Sequence, residues 1–286
     1  MKIAGFTFIK NAVQNDYPIV EAMMSILPIC DEFIVAVGKS DDDTLELIKS
    51  INSDKIKIVE TVWDGDPSVW GENFRRETDK AISRISKDID WCFYIQGDEC
   101  VHEKYLETIK KEMEICLNNS KIEGLLFKYL HFYGSYDYVA VSRRWYRREI
   151  RIIKNIKGLH SYKDAQGFRI DNRKIKVKLI DAFIYHYGWV KPPAGFNNKR
   201  AKKDTMTIAN ENDFDYGNAD RLIYFNDTHP KVINEKLNNI NWKFSFDLSK
   251  MNANLTLRRR FLQWIEITFG KRIFEYKNYK IVAKHD

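Results

Sequence analysis

The chain has few cysteines, and they lack the spacing that binds zinc or cross-links a small secreted protein. The four cysteines form neither C-x-x-C pairs nor a dense disulfide framework. No apolar run reaches the roughly 18–20 residues that a membrane-spanning helix needs, and no internal repeat or low-complexity tract is evident. The N-terminal stretch IAGFTFI has no small-residue cleavage site after it, so it predicts a strand rather than a signal peptide. These features favour a reducing, cytoplasmic location.

The composition predicts a globular protein with a basic C-terminal part. With 286 residues, 44% of them hydrophobic and 30% charged, the chain suits one large α/β domain or a domain plus an extension. Residues 200–286 hold 16 Lys or Arg against 11 Asp or Glu, which accounts for five of the seven net positive charges. Such a bias suits phosphorylated small molecules, nucleic acid or an anionic membrane. No recognised RNA- or DNA-binding motif is present, so nucleic acid is not an expected partner.

Strand-like and helix-like stretches alternate through about residue 120. Apolar runs typical of buried strands occupy 2–9, 33–37, 55–63 and 91–95. Helical periodicity occupies 18–26, 71–85 and 106–117. The alternation predicts βαβ units and a mainly parallel sheet, with shorter strands and a mixed sheet beyond residue 134. In open sheets of this kind, ligands bind beyond the carboxyl ends of the strands.

Two adjacent carboxylates, Asp98 and Glu99, follow the fourth predicted strand. A carboxylate at this edge stays charged if it meets water or a cation, and hard divalent cations prefer oxygen ligands. Asp98 is therefore a candidate metal ligand. On pattern alone, a pair that caps the next helix fits slightly better, because acidic residues are favoured at helix N-termini without any metal.

Loops after the first three predicted strands would border the same crevice. They read FIKN, GKSDDDT and GENFRR. Gly38 and Ser40 would let the backbone approach a nucleotide, and Asn11 and Asn73 would hydrogen-bond a base or a ribose. Arg76 would face phosphate or remain a surface charge.

This order of features resembles glycosyltransferase family 2 from residue 2 to about 190. In that family the loop after strand two usually reads Asp-Gly-Ser-x-Asp-Gly-Thr, here GKSDDDT at 38–44. Asp-x-Asp ends strand four, here QGDE at 96–99, and Asp98 matches the usual metal ligand. Gly38 stands where an aspartate commonly meets the base, and Gln96 replaces the first aspartate. The chain therefore departs from the family at two positions, one that concerns recognition of the nucleobase and one that concerns binding of the metal.

The resemblance implies a fold, a donor and a cofactor. The fold is α/β, with a single Rossmann-like A-type glycosyltransferase domain and a mainly parallel central sheet. The sequence itself, beyond the reach of the resemblance, divides the chain into this domain at 1–199 and a basic, mostly helical extension at 200–286. The donor is a nucleotide-diphosphate sugar, and the cofactor is Mg²⁺ or Mn²⁺ bound by Asp98 and His186. The residues expected at the donor are Thr7, Asn11, Gly38, Ser40, Asn73, Arg76, Gln96, Gly97 and Asp98.

The second half of the chain supplies candidates for the acceptor side. His186 lies in the aromatic stretch IYHYGWVKPP, where Tyr187 and Trp189 would stack on a sugar. A hydrogen-bonded core histidine among packing aromatics fits the same stretch equally well. The stretch GLHSYKDAQGF falls where the family places its acceptor-side carboxylate. Asp164 is the predicted base and His160 the reserve, while the alternative for Asp164 is a turn-stabilising loop residue.

Two basic segments allow more than one interpretation. SRRWYRREIRIIKNIK at 142–157 carries seven basic residues against one acidic residue, which predicts a mostly solvated face. The alternative is that some of its arginines neutralise diphosphate or bind an anionic acceptor. LTLRRRFLQWIEITF at 255–269 predicts a helix with apolar residues at four-residue steps beside three arginines. The pattern favours a helix packed on the domain over an interfacial helix at the inner face of the membrane.

The expected function is transfer of a sugar, with inversion, to a hydroxyl of a glycan or lipid-linked acceptor in surface polysaccharide or lipopolysaccharide assembly. One alternative is a catalytically inactive sugar- or nucleotide-binding protein, suggested by Gln96 and Gly38. A nucleic-acid-binding protein, suggested by the basic charge, is another. A sugar nucleotidyltransferase is less favoured, because no GxGTR-like phosphate loop lies near the N-terminus.

Overall fold

The computed structural model describes residues 1–66, 69, 71–191, 221–244 and 255–284. Their strands, β1 to β14 in chain order, are Ile3–Ile9, Glu32–Gly38, Ile56–Thr61, Trp91–Tyr94, Glu99–Val101, Gly124–Tyr133, Ser135–Ala140, Arg148–Lys154, Leu159–Tyr162, Gly167–Ile170, Arg173–Lys174, Lys176–Trp189, Leu222–Tyr224 and Lys280–Lys284. Their α-helices, α1 to α6, are Ile19–Ile26, Thr44–Lys49, Glu72–Ile82, Leu106–Cys116, Asn234–Asn238 and Leu257–Phe269.

One large mixed sheet dominates the fold. Its first half is parallel, in the order β3-β2-β1-β4. Beyond β4 the sheet continues through antiparallel pairs with β8, β6, β7 and β13. The long strand β12 runs parallel to β6 and also pairs with β5 and β14, while β9 to β11 form a small separate sheet. Through its pairing with β5, β12 brings residues from late in the chain beside the loop that follows β4.

Both faces of β1, β2 and β4 are buried, which explains the nearly continuous apolar sequences of these three strands. Alternate side chains of β1, β2 and β4 enter two different apolar clusters, as expected for strands covered on both faces. One cluster contains Phe33 and Trp91 and is covered by α1 and α4. The other contains Phe6 and Tyr94 and is covered by α3 and the small sheet. The packing leaves the carboxyl ends of the strands to be closed by loops.

The α/β fold class and the parallel arrangement of the first four strands are confirmed. The predicted strands agree with β1 to β4 within about two residues at each end. The predicted boundary between residues 199 and 200 lies outside the described residues. Beyond it, β13 and β14 pair with β7 and β12 of the large sheet.

The acidic pair after β4 does not cap a helix. Glu99 begins β5, which pairs antiparallel with β12, and α4 begins only at Leu106 after a 3₁₀ turn. The helix-capping interpretation of Asp98 and Glu99 is therefore wrong, because strand pairing with β12 takes the place of the helix. Among the helices of the described ranges, none is both long and apolar enough to span a bilayer.

Candidate active site

A buried ion pair anchors the loop that follows β4. Glu99 is fully buried, and its two carboxylate oxygens accept hydrogen bonds from Arg151 Nε and Nη2 at 2.8 and 2.7 Å. The same carboxylate accepts the Tyr129 hydroxyl at 2.8 Å and the Gln96 backbone N–H at 3.1 Å. The Arg151 guanidinium lies over the rings of Tyr94 and Tyr129, 5.2 and 5.4 Å from their centroids. Glu99 is thus a structural residue that fixes the loop from Gln96 to Asp98.

Asp98 and His186 converge at this edge of the sheet. The pairing of β5 with β12 places His186 opposite Glu99, and Tyr187 N–H donates to the Asp98 carbonyl at 2.8 Å. His186 Nε2 then lies 3.6 Å from Asp98 Oδ2, and the Asp98 side chain is 18% exposed. Gly188 makes this approach sterically feasible, since a Cβ there would lie 2.9 Å from His186 Nε2 and closer still to Asp98 Oδ2.

A second histidine, His131, determines which nitrogen of His186 donates a hydrogen bond. His131 Nε2 lies 2.7 Å from the Tyr146 carbonyl oxygen, which only accepts, so His131 donates from Nε2. Burial, together with the neighbouring His186, holds the pKa of His131 well below its usual range, so the ring is neutral and its Nδ1 accepts. His186 Nδ1, 3.0 Å away, must therefore donate. With Nδ1 as the donor, the neutral form of the His186 imidazole carries its lone pair on Nε2, the nitrogen that faces the Asp98 carboxylate.

These two side chains fit a divalent cation that takes its other ligands from elsewhere. Ligand distances of about 2.0–2.2 Å allow two ligands of one ion to lie about 3–4 Å apart, and the Asp98–His186 separation of 3.6 Å falls in that range. In the part of the chain that the structure describes, no group of three or more His, Cys, Asp or Glu could hold a metal ion. Phosphate oxygens and water would have to complete the coordination.

The loops after β1 and β2 are fastened to each other beside this edge. Asn11 N–H donates to Ser40 Oγ, and Asp41 N–H donates to Asn11 Oδ1, each at 3.0 Å. Ser40 Oγ donates in turn to the Gly38 carbonyl at 2.8 Å. Asn11 has a φ of 51°, a left-handed conformation that asparagine tolerates. The structure therefore brings the predicted donor residues Asn11, Gly38 and Ser40 together in two loops that are joined by hydrogen bonds. We call the surface formed by these three residues the ledge.

Three aromatic side chains pack together next to Gly38, and we call this cluster the aromatic wall. Phe8, Trp63 and Phe74 are in mutual contact, with ring centroids 5.6 to 6.1 Å apart. A Cβ on Gly38 would collide with the Trp63 indole, so only glycine fits there. The buried Trp63 Nε1 has no hydrogen-bond partner among the described residues, and Lys10 Nζ lies 5.4 Å from the ring centroid. Trp63 is a candidate ligand-binding residue that the sequence motifs did not single out.

The remaining predicted donor residues make structural contacts. Asn73 Oδ1 accepts the Gly65 N–H at 2.7 Å, and Arg76 pairs with Glu72 at 2.7 Å on the surface of α3. Thr7 is fully buried within β1. Gly97 packs against Ile9 and Ile19. A Cβ added to Gly97 would lie 3.0 Å from Ile9 Cδ1 and 3.5 Å from Ile19 Cδ1.

The predicted base Asp164 lies against the N-terminal end of α3, in contact with Gly71. Gly71, with a φ of +76°, has no room for a Cβ because the Asp164 backbone lies there. A cavity of about 560 Å³ adjoins this contact and is lined by Val69, Glu72, Arg75, Lys163, Asp164 and Gln166. Asp164 Oδ1 is buried without a hydrogen-bond partner among the described residues. His160, in β9, contacts the Gly158 carbonyl through Nδ1 at 3.0 Å.

The two predicted sugar-stacking residues of β12 differ in exposure. Tyr187 is only 2% exposed, contacts His229 Nδ1 through its hydroxyl at 2.9 Å and stacks on Phe132. Trp189 is half-buried and stacks on Tyr133, with ring centroids 5.9 Å apart. Of the two predicted sugar-stacking residues, Trp189 therefore keeps the more accessible ring.

No protein-family model matches the chain, and no curated protein matches it in sequence. Among solved structures, S. aureus TarS is 13% identical, covers 72% of this chain and 39% of its own, and has a TM-score of 0.40. Glucosyl-3-phosphoglycerate synthase from Mycobacterium tuberculosis, solved with Mn²⁺, UDP and phosphoglyceric acid, is 20% identical over 46% of this chain and 43% of its own, with a TM-score of 0.31. The 4-diphosphocytidyl-2C-methyl-D-erythritol synthase from Anaerococcus prevotii is 13% identical over 71% of this chain and 96% of its own, with a TM-score of 0.38.

The chain thus spans about two fifths of the length of the TarS chain that it matches. All three TM-scores are below 0.5.

Replacing Arg151 tests whether the buried pair supports the fold. Arg151→Ala leaves the Glu99 carboxylate buried and without its cation, so we expect the free energy of unfolding to fall by about 3–5 kcal/mol. Urea denaturation followed by circular dichroism measures this loss. Lys49→Ala, which breaks the exposed Lys49–Glu46 pair, is the control and should change stability by less than about 1 kcal/mol. Equal effects of the two variants would contradict the structural role of Arg151.

Proposed function

We propose that the protein is a glycosyltransferase that moves a sugar from a nucleotide-diphosphate donor to a hydroxyl of a glycan or lipid-linked acceptor. The observation that carries this proposal is the convergence of Asp98 and His186 at the carboxyl edge of the parallel strands. The resemblance of GKSDDDT and QGDE to family motifs supports the same assignment. The pathway served is surface polysaccharide or lipopolysaccharide assembly.

The nucleoside lies on the ledge formed by the loops after β1 and β2. Because Gly38 has no Cβ, the Trp63 indole packs against its backbone, with the indole N–H buried and without a partner among the described residues. A nucleobase would contact the accessible part of the aromatic wall, which would exclude water from the base. Asn11 and Ser40 hold the ledge in shape by bonding each other. Recognition of the base therefore depends on ring contact where the family commonly uses an aspartate.

The diphosphate lies between this ledge and Asp98. Asp98 and the lone pair of His186 Nε2 would hold Mg²⁺ or Mn²⁺, which would neutralise charge on the leaving diphosphate. Glu99 and Arg151 keep the Asp98 loop from moving, and His131 keeps the His186 ring in the tautomer that presents Nε2. Gln96 supplies no carboxylate, so the protein contributes fewer acidic ligands than the family pattern implies.

The acceptor enters from the cavity beside α3. Asp164 accepts the proton of the acceptor hydroxyl as that oxygen forms its bond to the anomeric carbon. The bond from the anomeric carbon to the diphosphate oxygen breaks in the same step, which inverts the configuration and releases the nucleoside diphosphate. Arg75 and Lys163 line the cavity and would favour an acceptor with hydroxyl or anionic groups. His160 is the reserve base.

Donor binding should depend on Asp98. We expect at least one of UDP-, GDP-, CMP- or dTDP-sugar to raise the melting temperature in the presence of Mn²⁺, since a ligand at 100 times its Kd adds about 2.7 kcal/mol to stability. Asp98→Asn should lose the Mn²⁺-dependent part of that shift. Asp88→Asn is the control, because Asp88 lies exposed beside Lys2 at the other end of the sheet.

An Asp98→Asn variant with an undiminished Mn²⁺-dependent shift would remove Asp98 as a metal ligand. A wild-type protein that no nucleotide sugar stabilises, with or without Mn²⁺, would contradict the proposed function as a whole.

His131 should control metal affinity without touching the metal. His131→Phe removes the acceptor of the His186 Nδ1 hydrogen bond, so Mn²⁺ affinity should weaken by about 10–100-fold. His131→Gln, which can still accept from His186, should retain more of the affinity. Electron paramagnetic resonance of free Mn²⁺, with the best nucleoside diphosphate present, measures the difference. Unchanged affinity in a folded His131→Phe variant would show that the histidine pair has no part in metal binding.

Turnover should depend on Asp164 while donor binding does not. Asp164→Asn should lower release of nucleoside diphosphate by about 10²–10⁴-fold, because general-base catalysis contributes on that scale. The thermal shift with donor should stay as in the wild type. Asp88→Asn is again the control and should keep wild-type turnover, because Asp88 lies exposed at the other end of the sheet. Release of nucleoside diphosphate at the wild-type rate in Asp164→Asn would show that Asp164 is not the base.

A second candidate function is nucleotide-sugar binding without catalysis. The observation that favours it is Gln96, which replaces the first aspartate of the family motif. Such a protein would show the donor-dependent thermal shift and no release of nucleoside diphosphate with any acceptor.

A further inference from the structure

Exposed large apolar side chains are concentrated on α6 and the turn that follows it. Their exposures are 84% for Leu257, 58% for Phe261, 54% for Trp264, 59% for Ile267, 61% for Phe269 and 84% for Phe274. Leu257, Phe261 and Trp264 recur at helical spacing and share one face. A patch of this density on a water-soluble surface indicates an interaction site.

The helix contacts the rest of the protein through its polar side. Glu266 accepts hydrogen bonds from Arg143 at 2.8 Å and from Arg272 at 2.9 Å. Gln263 is buried at the same interface, and Arg272 also donates to the carbonyls of Ser142 and Trp145. An amphipathic helix of a globular protein normally buries its apolar stripe. Here the ion pairs hold the helix with much of its apolar stripe directed outward.

Basic residues surround the start of the apolar face. A cavity of about 500 Å³ at the N-terminal end of α6 is lined by Arg143, Arg144, Leu255, Thr256, Arg258, Arg259, Leu262 and Gln263. Arg258 and Arg259 are exposed, and the positive end of the helix dipole adds to the potential there. Aromatic and aliphatic side chains beside arginines are the pattern of a helix that lies in the interface of an anionic bilayer.

We propose that α6 and the turn at 271–276 form a docking surface for an anionic lipid bilayer. Leu257, Phe261 and Trp264 enter the boundary between headgroups and acyl chains, while Arg258 and Arg259 contact lipid phosphates. Charge complementarity selects this occupant over a second copy of the chain. In a two-fold dimer the same arginines would face each other across the interface and repel. The proposal does not depend on the reaction at Asp98.

Vesicle co-sedimentation of the full chain tests this surface. The wild type should bind vesicles of phosphatidylglycerol and phosphatidylcholine in equal parts at low salt, and should bind pure phosphatidylcholine far less. Phe261→Ser with Trp264→Ser should weaken binding by about tenfold or more, because each aromatic side chain loses its transfer from water. Arg258→Gln with Arg259→Gln should weaken binding several-fold and reduce its salt sensitivity.

Ile115→Ser is the matched control, since Ile115 is also 58% exposed but lies on α4. It should bind vesicles as the wild type does. Inorganic phosphate at high concentration should not displace the protein, which separates a bilayer from a free anion as the ligand. Three results would overturn the proposal: no binding to anionic vesicles at low salt, equal losses in the Ile115→Ser control, or a dimer in solution that Phe261→Ser dissociates while vesicle binding is absent.

Discussion

The buried pair of Glu99 and Arg151 determines where the groups of the candidate active site lie. Arg151 stands on β8, the strand that joins the parallel half of the sheet to the antiparallel half, and Glu99 begins β5. Taking both charges out of water is costly, and the cost is offset here because Tyr129 and the Gln96 N–H satisfy the remaining oxygen positions. Since Asp98 directly precedes Glu99, its carboxylate is held at the sheet edge.

The two adjacent carboxylates therefore have different roles, and the difference comes from their surroundings. Glu99 points into a core where every oxygen has a donor, whereas Asp98 keeps part of its surface exposed and faces His186 Nε2. The histidine pair, the glycine at 188 and the pairing of β12 with β5 are all needed to bring that nitrogen into place. The proposed binding of metal and donor at Asp98 depends on this arrangement.

Local sequence pattern was sufficient for the first four strands. In β1, β2 and β4 both faces are buried and the apolar runs are nearly continuous, whereas β3 combines the β-branched residues Ile56, Ile58 and Val59 with exposed Lys57 and Glu60. It was not sufficient for the site, whose parts come from strands far apart in sequence. Nothing in IYHYGWVKPP shows that His186 pairs beside Glu99. Arg151 lay in a basic run predicted to be mostly solvated, and for this residue the prediction was wrong, since it is 1% exposed. The available signal for His131 was a single histidine in a strand whose other residues, apart from Lys128, are not charged.

A crystal structure with Mn²⁺ and the nucleoside diphosphate that stabilises the protein most would test the central claim most directly. The account predicts metal density between Asp98 Oδ2 and His186 Nε2, with diphosphate oxygens in the remaining coordination positions and the base on the ledge of Asn11, Gly38 and Ser40. A nucleotide bound away from this sheet edge, or Mn²⁺ bound without contact to Asp98, would contradict it.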